Sequence, residues 1–393
     1  MSTAASADPT PHVAQRIRAM APSPTMAMAA KAAAIQQQGH RVVNLTLGEP
    51  DFDTPEHLKE AARRAIRDGK TKYTPASGIP ELRGAICEKF QRENGLEYQP
   101  SEVVVAVGAK QVLYNVCMAI CDPGDEVLVP VPVWQTFVEQ VKLAEGKPIL
   151  VELGSDHRVR RADLEPHITS HTRAIFLNSP NNPTGVVMDP AEVRAVAELA
   201  VERGIYLIGD ETYEHFLYGD ATHVMPAALD KEVKRLTIEV STASKTYAMT
   251  GWRVGYAAGP TEVVGAMAAL MGQSTTQTAS VSQWAAVEAL TGPQDCVQEM
   301  VGEFAKRREF FITGLNRIGI DCAWPEGAFY AYPSIPAGEP SVEFADRLLT
   351  EAHIATVPGA DFFGEGNLRL SYATSMDVLI EALERLEQFL ARN

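Results

Sequence analysis

The sequence is poor in cysteine, in long apolar runs and in positive charge, and each shortage excludes a class of protein. Five cysteines in 393 residues form no C-x-x-C pair and no zinc-type cluster with histidine, so we expect reduced thiols, no metal site and a cytoplasmic location. No apolar run reaches the roughly 18 residues of a membrane span, and residues 1–20 lack the apolar stretch of a signal peptide. Acidic residues outnumber basic ones 50 to 35, a net charge of −15, which argues against nucleic-acid or anionic-membrane partners.

The sequence does have the composition of a folded α/β protein, with 46% hydrophobic and 22% charged residues. The middle of the chain alternates short, continuously apolar runs with stretches of helical length. Continuous apolar runs are typical of strands that are buried on both faces of a parallel sheet. The predicted strands are Val103–Val107, Val127–Val129, Ala174–Leu177, Ile205–Ile208, Leu236–Val240 and Val254–Ala258.

Helices are predicted between these runs, at Gln111–Ile120, Pro190–Arg203 and Pro260–Met271, and near the end of the chain at Met376–Arg392. Asp189 before Pro190 is a typical N-cap. The alternation of strands and helices predicts an α/β fold with a mostly parallel sheet sandwiched by helices.

The two ends of the chain differ from the middle, which leads to a prediction of domain organisation. We expect residues 51–290 to form the large domain and residues 291–393 a smaller α+β domain. Residues 1–50 would be an N-terminal arm and one helix, ahead of the first strand, that join the small domain.

Ligands of open parallel sheets bind at the carboxyl ends of the strands, so the residues that follow each apolar run are candidates for a site. Gly108, Ala109 and Lys110 follow the first run and open a helix, whose free N–H groups suit a phosphate, although the sequence is not a P-loop. The run Ala174–Leu177 is followed by a rigid turn rich in asparagine and proline, residues 178–185. By itself, each of these signals is also compatible with an ordinary turn.

Charged residues follow the next two runs. Asp210 ends one of them, where a carboxylate is costly unless it meets a cation, although an isolated aspartate there would equally cap a helix. Thr242, Ser244 and Lys245 end the other, and Arg253 follows eight residues after the lysine. An amine beside an anion site is what pyridoxal phosphate requires, whereas a lone lysine would more often be a solvated charge.

Taken together, these stretches resemble the class I and II aminotransferases, the fold-type I pyridoxal-phosphate enzymes. The similarity extends from about residue 15 to residue 390 and is greatest to the bacterial aspartate aminotransferases, through the segment Gly108 to Asn115. The motifs that carry it occur in family order: Gly48-Glu49-Pro50-Asp51-Phe52, Tyr73 with Gly78 to Arg83, Asn181 to Gly185, Asp210-Glu211-x-Tyr213, Ser244-Lys245 with Trp252 to Tyr256, and Arg369 to Tyr372.

The resemblance implies roles around the ring of the cofactor. Lys245 matches the lysine that binds the cofactor aldehyde and moves the Cα proton, and Asp210 the carboxylate that pairs with the pyridine nitrogen. Tyr213 and Asn182 match residues beside the 3′-oxygen, and Trp134 the aromatic residue that stacks on the ring; without the resemblance, Trp134 is equally a core aromatic.

The resemblance also implies a phosphate site and a composite active site. Tyr73 matches a phosphate ligand that the partner subunit donates, which implies a homodimer. The remaining phosphate ligands would be Gly108, Ala109, Lys110, Thr242, Ser244 and Arg253.

Substrate recognition is implied at a further set of positions. Arg369 matches the arginine that binds the α-carboxylate, and Gly48 lies where a side chain would obstruct the substrate. Lys110 and Thr25 match residues associated with a distal carboxylate, which favours aspartate or glutamate as the amino donor and 2-oxoglutarate or oxaloacetate as the acceptor. The resemblance implies that the two react in turn, by a ping-pong mechanism. Val133 stands where relatives usually have tyrosine, so aromatic, prephenate-type or specialised-pathway substrates are the alternative.

Other functions are possible on similar folds. A pyridoxal-phosphate lyase or cyclase would use the same scaffold, and the sequence does not show which Cα bond breaks. A nicotinamide-dependent dehydrogenase is disfavoured because no G-x-G-x-x-G follows the first strand. An effector domain of a transcription factor is disfavoured because no DNA-binding segment precedes residue 50.

Overall fold

The computed structural model describes residues 13–20 and 24–392, without the side chains of residues 24–27 and 29. Its strands, in chain order, are β1 (Val43–Asn44), β2 (Val103–Val107), β3 (Glu126–Val131), β4 (Lys147–Glu152), β5 (Thr172–Asn178), β6 (Tyr206–Asp210), β7 (Thr237–Thr242), β8 (Val254–Ala258), β9 (Tyr330–Ala331), β10 (Ile354–Ala355), β11 (Val357–Pro358) and β12 (Leu368–Ser371).

The α-helices lie mostly between these strands. In chain order they are α1 (Gln15–Arg18), α2 (Pro24–Gln37), α3 (Glu56–Arg67), α4 (Pro80–Asn94), α5 (Ala109–Ile120), α6 (Thr136–Leu143), α7 (Arg161–Leu164), α8 (Pro190–Arg203), α9 (Lys231–Lys234), α10 (Ala243–Thr246), α11 (Thr261–Gly272), α12 (Ser280–Thr291), α13 (Asp295–Arg317), α14 (Ser341–Glu351) and α15 (Met376–Arg392). No helix of the described residues is long and apolar enough to cross a membrane.

A seven-stranded sheet with the order β2-β8-β7-β6-β5-β3-β4 forms the centre of the molecule. The strands β4, β3, β5, β6 and β7 pair in parallel. Strand β8 runs antiparallel to both of its neighbours, β2 and β7. The predicted mostly parallel sheet is therefore confirmed, with one reversed strand.

Helices cover both faces of this sheet because side chains alternate along each strand. In β2, Val104 and Ala106 pack into one core with residues of α5, α6 and α11. Val103 and Val105 point the other way, into a second core with residues of α4 and α12. The continuous apolar runs of the sequence therefore reflect burial on both sides.

Local signals explain several element ends. The Asp189 carboxylate accepts a hydrogen bond from the Ala191 N–H, which makes it the predicted N-cap of α8, and Gly204 ends that helix with a φ of 66°. Strand β4 was not predicted because it lies at the sheet edge, where its residues are mostly not buried. An edge strand lacks the continuous apolar pattern of its neighbours.

The C-terminal part contains a three-stranded antiparallel sheet, β11-β12-β9, and a parallel pair, β1-β10. Its core includes Phe304 and Leu379 together with Met28, Ala32 and Val43 from the N-terminal part. Residues 1–50 were expected to hold an arm and one helix ahead of the first strand, but the described part of this range contains the helices α1 and α2 and already the strand β1. A two-residue strand leaves no apolar run to detect. The domain limits at residues 50 and 290 remain predictions.

Candidate active site

The carboxyl ends of the central strands bring the predicted residues to one edge of the sheet. Asn178 and Asp210 lie side by side at the ends of β5 and β6. The Asn178 amide donates to the Asp210 carbonyl at 3.2 Å, and its oxygen accepts from the Asn182 N–H at 2.9 Å. The asparagine-rich turn therefore fixes Asn182 beside Asp210.

Asp210 is a buried carboxylate with 4% of its surface exposed. Thr212 donates to it through its N–H at 3.1 Å and its hydroxyl at 2.6 Å. Burial nevertheless raises the pKa of Asp210 to about 6. Among the described residues no lysine or arginine forms an ion pair with it, so a cationic ring nitrogen would complete this environment.

Lys245 follows β7 on the short helix α10, where the Thr242 hydroxyl accepts from the Ser244 N–H at 3.1 Å. Its Nζ donates to the Gly48 carbonyl at 2.5 Å. Burial, aided by Arg253 and Arg369 and opposed by Glu49, lowers the pKa of Lys245 to about 8. A half-buried amine of this kind is partly neutral near physiological pH and can react with an aldehyde.

An anion cradle lies next to this amine. Gly108 has a φ of 81°, and a Cβ there would lie 2.4 Å from Nη2 of Arg253. A Cβ on Gly255 would lie 2.3 Å from the Ala109 nitrogen, so two glycines allow the β2–α5 turn, β8 and the guanidinium to meet. The free N–H groups at the start of α5 and the hydroxyls of Thr242 and Ser244 suit a phosphate.

Arg253 contributes the charge of this cradle. Its exposed guanidinium donates to the carbonyls of Thr250 at 2.8 Å and Val107 at 3.4 Å. Within the described part of the chain it forms no ion pair. The structure therefore offers an arginine whose charge is available to an anion.

Arg369 is a second available guanidinium, with only 3% of its surface exposed. It donates to the Asn182 side-chain oxygen at 3.1 Å and the Thr46 carbonyl at 2.8 Å. Its Nε has no hydrogen-bond partner among residues 13–20 and 24–392. A buried arginine without a carboxylate partner suits the carboxylate of a ligand.

Tyr330 belongs to the site but was not predicted. Its hydroxyl lies 2.8 Å from the Tyr213 hydroxyl, and its ring centre lies 4.5 Å from the Arg369 guanidinium. A Cβ on Gly48 would come within 3.2 Å of the Tyr330 hydroxyl. Tyr330 escaped detection because β9 has only two residues and therefore leaves no apolar run to mark its end.

The remaining predicted residues lie around this centre or outside it. The Lys110 amine stands 4.6 Å above the Trp134 ring, and both line a cleft of about 420 Å³ with Asp361 and Phe362. Val133 is buried, and its N–H donates to the Phe362 carbonyl at 3.0 Å.

One of the predicted residues, Tyr73, is not brought to this centre. Tyr73 is 89% exposed and forms no hydrogen bond or ion pair with any described residue. Thr25 lies on α2, but its side chain is outside the described residues. The centre as described offers a carboxylate for a ring nitrogen, an amine for an aldehyde and a cradle for a phosphate, and these features fit pyridoxal phosphate.

Comparison with known proteins supports the same assignment over nearly the whole chain. The family model "Aminotransferase class I and II" matches residues 40–386. The chain is 48% identical over 391 residues to the aspartate/prephenate aminotransferase of Thermus thermophilus, with 97% of this chain and 99% of the relative covered. It is 46% identical over 387 residues to the probable aspartate/prephenate aminotransferase of Aquifex aeolicus, with 96% and 98% covered.

Solved structures give a matching result for the fold. The aspartate aminotransferase from Thermus thermophilus with maleate aligns with a TM-score of 0.92 at 46% identity, covering 97% of this chain and 100% of that one. The aspartate aminotransferase from Rhizobium meliloti aligns with a TM-score of 0.94 at 44% identity, covering 98% and 100%.

Proposed function

Because this chain belongs to the class I and II aminotransferases, and is therefore a pyridoxal-phosphate-dependent transaminase, we propose that it transfers the amino group of aspartate or glutamate to a 2-oxo acid by a ping-pong mechanism. One observation carries the proposal. The Arg369 guanidinium and the Lys245 amine converge on one segment, where they donate to the carbonyls of Thr46 and Gly48 respectively. An α-carboxylate bound at Arg369 would place its Cα near the amine.

The residues of the chain then divide the work among them. Bound pyridoxal phosphate supplies an aldehyde that takes up the amino group and a ring that accepts electrons from Cα. Asp210 keeps a proton on the ring nitrogen, and the partly neutral Lys245 amine accepts and returns the Cα proton. Arg369 orients the substrate through its carboxylate, which a planar guanidinium does better than an ammonium.

Other residues hold the cofactor in place. The phosphate would be bound by Arg253, Thr242, Ser244 and the N–H groups that follow Gly108. Asn182 and the Tyr213 hydroxyl would bind the 3′-oxygen, and Trp134 would cover one face of the ring. These contacts position the reacting atoms, which accounts for a large part of the rate in such reactions.

Dicarboxylic substrates are favoured by Lys110. Its amine forms no ion pair among the described residues and lies at the wall of the cleft, where it can meet a distal carboxylate. The relatives are named for aspartate and, in three cases, also for prephenate. These names and the small side chain of Val133 support larger substrates of the prephenate type as the second candidate.

We also propose that the protein is a cytoplasmic homodimer with shared active sites. The support is the 89% exposure of Tyr73, a large aromatic side chain that a partner subunit can receive. All five cysteines are free, as in a reducing compartment.

The test is spectral and uses the half-reaction. We expect the purified protein to be yellow and to lose that absorbance when aspartate or glutamate is added without an acceptor. Lys245→Ala should slow this change by at least about 10²-fold, whereas the exposed Lys231→Ala should not. A Lys245→Ala protein that turns over at the normal rate would contradict the mechanism, and converging instead of parallel initial-rate plots would contradict the ping-pong order.

A further inference from the structure

An ionic network built on a buried lysine–glutamate pair lies next to the segments at the ends of β6 and β7. The Lys89 amine, on α4, is fully buried and lies 2.6 Å from both carboxylate oxygens of Glu214. It also donates to the Asn94 side chain at 3.0 Å and lies 3.6 Å from Glu93. We call Lys89, Glu93, Asn94, Glu214 and His215 the Lys89 network.

The Lys89 network contacts the Lys245 segment at both of its ends. At the first end, the Ser241 hydroxyl donates to Glu214 at 3.1 Å. At the second, the Thr246 hydroxyl lies 3.1 Å from Nδ1 of His215, whose Nε2 lies 3.0 Å from Glu93. The residues between these two contacts include the proposed phosphate ligands Thr242 and Ser244 and the reactive Lys245.

Backbone geometry explains how the network can hold this segment without entering the site. Successive residues of a strand point to opposite faces, so Ser241 faces the network while Thr242 faces the site. Successive residues of a helix point about 100° apart, so Thr246 and Lys245 project in different directions from α10. Contacts on one side of the segment therefore fix side chains on the other.

Two residues of the network also come directly after the segment that carries the proposed cofactor ligands Asp210 and Tyr213. Glu214 and His215 come immediately after Tyr213, four and five residues beyond Asp210. The segment of residues 210–215 thus presents two side chains to the site and two to the network. This arrangement ties the Asp210 carboxylate and the Lys245 amine to one shared buried support.

The network is complete without a ligand. Ligand atoms of Glu93, Glu214 and His215 lie within 4.8 Å of one another, a spacing that could suit a metal ion. However, Glu214 is already paired with the buried Lys89 ammonium, which would repel a cation placed there. We therefore assign the cluster to support of its neighbours.

We propose that Glu214 and His215 are positioning residues for Lys245, acting through Ser241 and Thr246. The inference rests on the role proposed above for Lys245. A displacement of about 1 Å can lower a rate by about 10²-fold when reacting atoms must be aligned. Loosening one end of the segment should therefore lower kcat more than it raises KM.

The test compares two threonines on the same stretch of chain. Thr246→Val removes the hydroxyl that meets His215, whereas Thr246→Ser retains it. Thr237→Val is the matched control, because the buried Thr237 hydroxyl donates to the Val233 carbonyl at 2.8 Å at the far end of β7. All variants are examined as the cofactor-loaded protein for kcat, KM for aspartate, Tm and the pH midpoint of the cofactor absorbance.

We expect Thr246→Val to lower kcat about tenfold, to leave KM within about twofold and to move the absorbance midpoint, because the amine changes its position relative to Arg253 and Arg369. Thr246→Ser should restore all three values. Thr237→Val should lower Tm alone. If Thr246→Val does not fold, Glu93→Gln serves instead, since it weakens the hold on His215 at a partly exposed position.

Two results would overturn the inference. One is a Thr246→Val or Glu93→Gln protein with the wild-type kcat and absorbance midpoint, and the other is a kcat loss that Thr237→Val reproduces in full. Both are distinguishable from failure of the proposed function, in which Lys245→Ala itself would keep its activity.

Discussion

Two groups of charged residues lie side by side in the molecule, and they are built in opposite ways. The site charges, Asp210, Lys245, Arg253 and Arg369, form no ion pairs among the described residues. The Lys89 network is satisfied internally: Lys89 pairs with Glu214 and Glu93, and Glu93 also contacts His215. Both groups meet at the segment that carries Lys245.

The difference shows which charges await a ligand. A buried charge without a partner destabilises a protein, so it is tolerated where a bound molecule supplies the partner. A buried charge with a partner in the chain stabilises or orients its surroundings instead. Changes to the first group should therefore alter activity directly. Changes to the second group should alter folding and, through Ser241 and Thr246, the position of Lys245.

The largest effect is expected from Lys89→Met. Burial alone would raise the pKa of Glu214, but Lys89 and His215 hold it at about 2. Removal of the ammonium leaves an uncompensated buried carboxylate, so the free energy of unfolding should fall by about 3–5 kcal/mol in urea titrations. The double variant Lys89→Met with Glu214→Met should recover much of this loss. A Lys89→Met protein of wild-type stability would break the comparison between the two groups.

Asp210→Asn should lower the activity strongly without lowering the stability of the fold. We expect the half-reaction to slow by about 10²–10³-fold, as for loss of one electrostatic partner in a site. The folded pKa of about 6 lies above the ordinary 3.8, so the cofactor-free protein bears the cost of ionising this buried carboxyl above pH 6. Above pH 6 the free energy of unfolding of the variant should thus exceed that of the wild type by up to about 3 kcal/mol. Below the ordinary pKa of 3.8 the two should not differ in this respect.

Measurement of the unfolding free energy across pH separates this gain from a general change in folding. Thr212→Val serves as a control, since it removes a hydrogen bond to Asp210 but keeps the carboxyl. Asp210→Asn with normal activity would place Asp210 among the purely structural charges.

The smallest effect concerns the pH at which Lys245 reacts. The lowered pKa of about 8 predicts that cofactor-free protein combines with pyridoxal phosphate about tenfold faster per pH unit up to pH 8, because only the neutral amine attacks the aldehyde. Above that pH the rate should level off. Stopped-flow absorbance measures this, with free lysine as the reference. A rate that still rises tenfold per unit beyond pH 9 would show an ordinary amine.

The sequence predicted the features that have a local pattern. The runs Val103–Val107 and Val254–Ala258 coincide with β2 and β8, and Pro190–Arg203 and Met376–Arg392 with α8 and α15. The rule that ligands bind at strand ends led to Asp210 and Lys245, which the fold does bring to one edge. Roles around the cofactor came from the family resemblance and not from such patterns.

What the sequence could not predict depends on contacts between distant residues. Lys89 and Glu214 are 125 positions apart, and neither has a local pattern that distinguishes it from a solvated charge. Tyr330 lies on the two-residue strand β9 and comes close to Gly48, which is outside the strands. The direction of β8 cannot be deduced from its apolar residues. These features follow from the packing of the whole chain.

The reversal of β8 has a consequence for how the chain tolerates insertions. In a wholly parallel sheet, Arg253 would begin a strand at the edge far from the site. Because β8 runs backwards, the amine-bearing end of β7 and the guanidinium at the start of β8 are joined by the short stretch of residues 246–252. Loops elsewhere at this edge can lengthen and diversify the substrate range, whereas extra residues in this hairpin would alter the spacing between two charges that must act on one small molecule. We therefore expect this to be the loop least able to accept added length.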